Sequence, residues 1–445
     1  MAVDFSNIFI IIFLAGSIVT ATLSFVLEAI DYKTRKRNGG ILPDILKKYP
    51  ESSVFDEAKL ARITEYENAK FFAWIPRYAL AFILKIALVV FGFYIFVYNL
   101  VISWFGMPVT VWKMILCFMV FSILSGLPEN ILNLPFDLHR EFVLEKRFGF
   151  SNMTFKLWLT DQIKNIIVSF VLMFMLMSVA SALLVSCPTY WWAIIAVVLM
   201  VFMFIANIIY PKFIAPLFNK FQPLEEGELK TRMEAMLAKA GFSSDGLFTM
   251  DASKRSKHSN AYFTGFGKAK RIVLYDTLIK SMTVDEIESV MAHEVGHYKL
   301  KHIRNKLIMM FPMILAGAFL LFKISHLDIL YTGFGFEVTD INAMQFLGLE
   351  LVMMIFSSIS MPLEPIMNMF SRRNEYQADR YSAQLCGTGR PLVTALIKLN
   401  SENLHEILPP KIYSFFHYSH PTLVERTQAL EAIEGTLQKT GSENV

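Results

Sequence analysis

Two histidines and a glutamate in one short stretch could carry out metal chemistry. His293, Glu294 and His297 form the pattern H-E-x-x-H within 284–306, a segment with helical apolar spacing. An α-helix turns about 100° per residue, so positions i and i+4 lie one above the other. The two imidazoles can therefore hold one metal ion, and the carboxylate beside them can accept a proton from a water molecule there. The alternative is two surface histidines on an amphipathic helix.

A zinc site of this kind needs a third protein ligand and leaves a fourth position open for water. Glu375 and Asp379, a second i, i+4 pair, lie downstream in the stretch S-R-R-N-E-Y-Q-A-D. Glu375 can complete the ligand set, and Asp379 can hydrogen-bond the far ring nitrogen of a ligand histidine and fix its tautomer. Alone, this pair would indicate a solvated charged face. We interpret His302, about half a helical turn round from His293, as a helix-face or membrane-interface residue rather than a ligand.

The composition of the chain excludes an ordinary soluble protein. Of its 445 residues, 54% are hydrophobic and only 18% are charged, and the mean hydropathy is +0.45. Three scattered cysteines provide neither a disulfide framework nor a thiolate metal site. The partner expected from this composition is a lipid bilayer, and no nucleic acid is expected.

The apolar segments predict an α-helical integral membrane protein with seven spanning helices. The predicted spans are 8–27, 78–105, 109–132, 166–185, 191–210, 307–324 and 345–370. Residues 1–7 contain no Lys or Arg, which favours a retained first helix over a signal peptide. Four charged side chains lie in or near these spans, and we expect them to face protein or water: Lys85, Glu129, Glu350 and Glu364. An interfacial position is equally compatible with Glu129. Prolines in the seventh span predict a kink there.

The remaining segments predict a soluble part that carries the metal site. The predicted units are the first five spans with their loops (1–210), a metalloprotease part (211–306), the last two spans (307–370) and a helical continuation of the metalloprotease part (371–445). Strands are expected at 247–250, at 271–275 and, as an edge strand bounded by Gly265 and Gly267, at 257–263. Lys and Arg concentrate in the connections on one side of the spans, which places this part on the cytoplasmic face.

The chain resembles the type I C-a-a-X prenyl proteases, a family of seven-span zinc metalloproteases, over nearly its whole length. The resemblance rests on P-K-F-I-A-P-L-F-N-K-F at 211–221, the segment 256–266 around Asn260, the H-E-x-x-H, the stretch containing Glu375, and Y-S-H-P at 418–421. It implies spanning helices that enclose a chamber, with a gluzincin-like domain, mostly α with a small β-sheet, against them.

The resemblance also implies a role for individual side chains. It implies one Zn²⁺ per chain, held by His293, His297 and Glu375. It further implies that Glu294 is the general base, that Asn260 lies on an edge strand which holds the substrate backbone, and that His420 and Arg426 help to bind substrate or stabilise an oxyanion. From sequence alone, His420 before a proline would be a helix-start residue.

The expected function is a zinc endopeptidase that removes the last three residues of prenylated C-a-a-X proteins. The membrane would be the endoplasmic reticulum of a eukaryote or the inner membrane of a bacterium. Two alternatives remain open from the sequence. One is a quality-control protease for membrane proteins, and the other is a seven-span transporter or receptor with a structural metal site.

Overall fold

The computed structural model describes residues 2–242, 246–264 and 271–443, and most of them are helical. The main helices are α1 (Ile8–Asn38), α2 (Glu57–Val90), α3 (Phe93–Phe105), α4 (Val111–His139), α5 (Phe155–Ser186), α6 (Trp191–Ile209), α7 (Glu228–Lys239), α8 (Val284–Lys299), α9 (His302–Ser325), α10 (Gln345–Ile359), α11 (Glu364–Cys386), α12 (Arg390–Glu402), α13 (Lys411–His417) and α14 (Leu423–Glu443). Shorter helices span Asp44–Lys47, Glu145–Arg147, Ala215–Phe218, Asp276–Ser281 and Asp328–Gly333.

The prediction of seven spans is confirmed when a bent pair of helices counts as one span. Within the described ranges, 6 helices are long and apolar enough to cross a membrane, and α10 with α11 forms a seventh that bends by 61°. The bend contains Pro362 in a short 3₁₀ segment, Met361–Leu363, and Pro365 lies in the first turn of α11. Proline is tolerated in a first helical turn but breaks a helix interior, which explains the predicted kink.

The spanning helices form a closed ring. Each contacts the next, in the order α1, α2, α4, α5, α6, α9 and α10, and α10 returns to α1. Only 6% of the apolar window of α2, α5 and α9 is buried inside the protein. Such low burial agrees with the expected chamber, in which a helix has one face towards lipid and another towards the enclosed space. Helix α10 also contacts α4 across this ring, where Phe346 packs on an aromatic cluster of Tyr98, Phe118 and Phe121.

The structure differs from the predicted bounds of the second span. The segment 78–105 was expected to be one helix, but α2 ends at Val90 and Gly92 adopts φ 71° before α3 begins. That left-handed conformation is readily accessible to glycine and ends the helix. In the other direction, α2 begins as early as Glu57, well before the predicted start of this span at residue 78, and forms a helix of 34 residues.

A small sheet accompanies the soluble helices. Its strands are β1 (Phe221–Pro223), β2 (Leu247–Met250), β3 (Ala261–Thr264) and β4 (Arg271–Tyr275). Their order is β1-β2-β4-β3, with β2 and β4 parallel and the other pairs antiparallel, so β3 is an edge strand of the described sheet. The predicted strands 247–250 and 271–275 are confirmed. The predicted edge strand 257–263 begins only at Ala261, and Gly265 and Gly267 lie outside the described residues. Side chains from β4 and α8, including Leu274, Ile287 and Met291, form one buried core.

Candidate metal centre

Helix α8 carries the H-E-x-x-H motif, and its N-terminus is fixed by a capping box. The Thr283 hydroxyl accepts from the Glu286 amide at 3.4 Å, and the Glu286 carboxylate accepts from the Thr283 amide at 2.8 Å. Met291 and Val295 on the same helix are fully buried. Because this apolar face is held against the core, the rotation of α8 about its axis is set, and with it the direction of the two motif histidines.

Helix α11 packs closely on α8 at a glycine. A Cβ added to Gly296 would lie 3.2 Å from both the Ala378 Cα and the Tyr381 Cβ, so the glycine permits the close approach. The Ser382 hydroxyl donates a hydrogen bond to the Ser289 carbonyl across the same interface, at 2.7 Å. This contact brings Glu375 against the two motif histidines from 78 residues away along the chain, counted from His297.

The three expected ligands converge on one point. The Nε2 atoms of His293 and His297 lie 3.1 Å apart. The Glu375 carboxylate oxygens lie 3.4 Å from the His293 Nε2 and 3.2 Å from the His297 Nε2. In the described chain these ligand atoms lie within 4.8 Å of one another. Ligands about 2.1 Å from a tetrahedral zinc are separated by about 3.4 Å, so the spacing is close to that of a zinc site.

Two further observations show that the site suits a cation. The Glu375 Oε2 is buried and, among the described residues, has no hydrogen-bond donor. Burial lowers the pKa of His293, but the Asp379 carboxylate at its Nδ1 and the Glu375 carboxylate near its Nε2 outweigh it and raise the pKa to about 9. The carboxylates that stabilise a proton on this imidazole would equally stabilise a divalent cation. The residues present therefore fit the zinc ion that the sequence led us to expect.

Asp379 supports the first ligand histidine. Its Oδ1 lies 2.8 Å from the His293 Nδ1, on the ring side opposite Nε2. Arg426 on α14 donates two hydrogen bonds to the same carboxylate, at 2.9 and 2.6 Å. Asp379 is fully buried and Arg426 nearly so. The carboxylate can accept the Nδ1 proton of His293 and leave Nε2 free for a metal, as expected from the spacing of the motif.

The second ligand histidine has a support that the sequence did not reveal. The His297 Nδ1 lies 2.9 Å from the Nδ1 of His302, and the His302 Nε2 lies 3.0 Å from the Gln377 Oε1. His302 is buried. It therefore does not occupy the bare helix-face or interfacial position that we inferred from counting along one continuous helix.

A cavity of about 730 Å³ opens onto the ligands. Its walls contain Glu294, Asn260 and His420 together with the three ligands. The His420 side chain is 63% exposed, and its Nε2 lies 3.4 Å from the Glu375 Oε1. The Ser419 hydroxyl lies 2.9 Å from its other ring nitrogen. The volume lies within the range of roughly 300–1,000 Å³ that is typical of binding sites for small molecules.

Of the other two residues expected to bind substrate, Asn260 is exposed and Arg426 is buried. Asn260 is exposed and immediately precedes the edge strand β3, where its carbonyl accepts from the Tyr275 amide at 3.1 Å. Arg426 reaches the site from the buried side. Burial lowers the pKa of Arg426, but Asp379 raises it above its ordinary value, so its guanidinium remains charged. Arg426 also lines the cavity, so it and His420 both border the space that a substrate would occupy.

Each half of the chain matches a known family model. Residues 223–434 match a family model described as Peptidase family M48. Residues 31–220 match one described as CAAX prenyl protease N-terminal, five membrane helices. The two matches together cover most of the ring of spanning helices and the metal centre.

Individual proteins are similar along most of their length. CAAX prenyl protease 1 of Saccharomyces cerevisiae is 39% identical over 334 residues, which cover 72% of each chain. The human CAAX prenyl protease 1 homolog is 32% identical over 355 residues, covering 71% of this chain and 74% of the human one. The crystal structure of S. mikatae Ste24p superimposes with a TM-score of 0.84 at 33% identity, covering 94% of this chain and 98% of that one.

Proposed function

The chain belongs to the CAAX prenyl protease 1 family of M48 membrane metallopeptidases, and from this premise we propose that it is a zinc endopeptidase that removes the last three residues of prenylated C-a-a-X proteins. The observation that carries the proposal is the convergence of His293, His297 and Glu375 on one point, with the Glu294 carboxylate on the same cavity wall. Two imidazoles and a carboxylate, with a fourth position open to the cavity, are the ligand set of catalytic zinc.

The chain itself would supply the proton transfers. Zinc, when held by the three ligands, supplies Lewis acidity that polarises a carbonyl and lowers the pKa of a water molecule. Glu294 takes a proton from the water molecule as its oxygen attacks the scissile carbonyl carbon. It gives that proton to the amide nitrogen as the C–N bond breaks, so one carboxylate acts first as base and then as acid.

His420 is the side chain best placed to stabilise the negative charge that develops on the carbonyl oxygen. Its exposed imidazole lies beside Glu375, on the cavity wall. When the Ser419 hydroxyl donates to the ring Nδ1, the proton lies on Nε2 and can be donated to the oxyanion. Arg426, which also lines the cavity, keeps Asp379 oriented towards His293 and adds positive charge to the site.

The edge strand β3 would bind the substrate backbone. Asn260 and Ala261, where the strand begins, line the cavity beside the ligands. An extended peptide can pair with the free side of an edge strand through main-chain hydrogen bonds, which places its backbone across the site independently of sequence. Specificity for prenylated chains would then come from the bilayer setting and from the space inside the helical ring.

We further propose that the site faces the cytoplasm, in the endoplasmic reticulum membrane of a eukaryote. The last turn of α1 carries Arg35, Lys36 and Arg37, whereas the short connection 187–190 on the other side of the ring contains no Lys or Arg. Positively charged residues concentrate in cytoplasmic connections. The basic end of α1 lies on the side of the metal centre, because Arg35 pairs with Glu406 in the soluble part at 3.1 Å.

The decisive experiment replaces the proposed base without removing a ligand. Glu294→Gln should retain zinc and the melting temperature of the wild type, while hydrolysis of a prenylated peptide falls by about 10²–10⁴-fold. Glu375→Ala should lose zinc and activity together. The matched control is Asp285→Asn. Asp285 lies on the same helix as Glu294, and its exposed carboxylate pairs with Arg232 of α7, so this variant should keep both zinc and activity.

Each outcome has a separate meaning. Unchanged turnover in the Glu294→Gln protein would remove this carboxylate from the mechanism. Zinc retained at full stoichiometry in the Glu375→Ala protein would remove the third ligand. Active, zinc-loaded wild type that cuts unprenylated peptides but not prenylated ones would contradict the proposed substrate while leaving the peptidase assignment intact.

A further inference from the structure

We propose that His302 is a positioning residue for the metal centre, and that together with Gln377 it fixes the tautomer and the ring orientation of His297. The inference rests on the proposed zinc peptidase function, because His297 matters here as a ligand. It is carried by two consecutive contacts, 2.9 Å between the Nδ1 atoms of His297 and His302 and 3.0 Å between the His302 Nε2 and the Gln377 Oε1.

A metal ion on His297 would determine which atom donates and which accepts in these two hydrogen bonds. A metal ion on the His297 Nε2 requires the ring proton to lie on Nδ1, which must then donate. The His302 Nδ1 must accept that proton, so the single proton of a neutral His302 lies on Nε2. That proton is donated to the Gln377 Oε1, since an amide oxygen only accepts. The opposite arrangement would put a proton on the His297 Nε2, where it would block the ligand position.

The backbone is shaped so that His302 reaches this place. Helix α8 ends after Lys299, and Lys301 adopts φ 59°, an uncommon conformation for a lysine. The Lys301 amide donates to the Tyr298 carbonyl at 2.9 Å and α9 then begins at His302. The reversal returns the imidazole beneath the last turn of α8 and buries it, whereas Lys301 itself is exposed. A conformational cost at one residue thus positions its neighbour against a ligand.

The two ligand histidines are supported in chemically different ways. His293 faces the carboxylate of Asp379, which carries a charge and is itself held by Arg426. His297 faces a neutral imidazole. Gln377 is exposed, so water can replace part of what its amide oxygen contributes, whereas the acceptor on His302 is buried. We therefore assign the larger contribution to His302 and the smaller one to Gln377.

Two substitutions of nearly equal size separate positioning from packing. Asn and Leu have similar shapes, but only Asn can accept from the His297 Nδ1. The dissociation constant of Zn²⁺ is measured on the purified full-length chain by competition with a chromophoric chelator, without substrate. His302→Leu should weaken zinc binding by about 10–100-fold, and His302→Asn should restore most of the loss. With zinc saturating, His302→Leu should lower kcat while KM stays near the wild-type value.

Zinc affinities are compared only between variants that have the same melting temperature when measured in excess chelator. A packing defect would lower that temperature and so be recognised. Equal zinc affinity for the Leu and Asn variants, whether weak or wild-type, would overturn the proposal. A second set of variants tests Gln377, the exposed end of this series of hydrogen bonds. Gln377→Met should weaken zinc binding several-fold, whereas Arg380→Gln, a control exposed on the same helix, should not. If the position-302 variants do not fold, unchanged affinity in Gln377→Met overturns the proposal by itself.

The same data separate this inference from the proposed function. Zinc affinity is read without turnover, so the positioning role is tested even if no prenylated substrate is cleaved. Conversely, wild-type affinity in all variants would refute the role of His302 and leave the peptidase assignment, which depends on Glu294 and the three ligands, untouched.

Discussion

The ion pair between Arg426 and Asp379 should make a large, measurable contribution to stability. The Asp379 side chain is 0% exposed and that of Arg426 is 11% exposed, with bonds of 2.9 and 2.6 Å between them. Removal of one partner from a buried pair costs about 3–5 kcal/mol, because the other charge loses its main counter-charge. Asp379→Asn and Arg426→Met should each lower stability by that amount.

The double variant tests whether the two losses have one origin. If they were independent they would sum to about 6–10 kcal/mol, but because each arises from the charge left behind, we expect the double variant to lose about 3 kcal/mol less than the sum. For a folding unit of roughly 200 residues, about 1 kcal/mol corresponds to about 2–4 °C in melting temperature. Each single variant should therefore melt about 6–20 °C lower than the wild type.

The assay is thermal unfolding of the four proteins in detergent, with excess chelator so that changes in zinc binding do not contribute. Asp44→Asn is the matched control, because Asp44 pairs with Lys47 at the surface and its side chain is 95% exposed. Its melting temperature should equal that of the wild type. Strict additivity of the two single losses in the double variant would refute the reasoning, and so would single losses as small as that of the control.

Two further predictions concern packing and pH. Gly296→Ala adds a methyl group 3.2 Å from atoms of α11, so it should lower the free energy of unfolding by about 1–3 kcal/mol and weaken zinc binding. Gly317→Ala is the control, because nothing lies within 4 Å of the added methyl group there. Equal melting temperatures and zinc affinities for the two variants would contradict this prediction. Burial and the nearby carboxylate of Asp31 raise the pKa of Glu406 above its ordinary value of 4.5. The folded state then holds this proton more tightly than the unfolded state, so its contribution to stability falls as pH rises from about 5 to 8. Melting temperatures across this range should fall less steeply in Glu406→Gln, and an unchanged slope would refute the assignment.

Much of the architecture follows from patterns that act locally. The apolar runs predicted the number of spans because a bilayer sets the length of any helix that crosses it. The H-E-x-x-H motif placed His293 and His297 on one helix face because helical periodicity is fixed. The strands 247–250 and 271–275 were found because buried strands are short, apolar and β-branched.

The features that the sequence did not predict depend on backbone reversals and on distant contacts. His302 was placed on a bare face because a continuous helix was assumed, and a lysine with φ 59° at position 301 leaves no sequence signal. The break between α2 and α3 depends on Gly92, which stands in an otherwise unbroken apolar run. The ion pair between Arg426 and Asp379 depends on the packing of α14 against α11, and no local sequence pattern predicts that packing.

The 61° bend between α10 and α11 links the thickness of the bilayer to the geometry of the zinc ligands. Glu375 lies 11 residues beyond the start of α11, or about 16 Å along its axis at about 1.5 Å per residue. If α10 tilts to match a thinner bilayer and α11 moves with it as a rigid rod, about 3° of tilt displaces the carboxylate by about 0.8 Å, a large fraction of a coordination bond of about 2.1 Å. Because α11 also packs on α8 at Gly296 and through the Ser382–Ser289 hydrogen bond, the ligands keep their spacing only if the bend absorbs such a change in the tilt of α10.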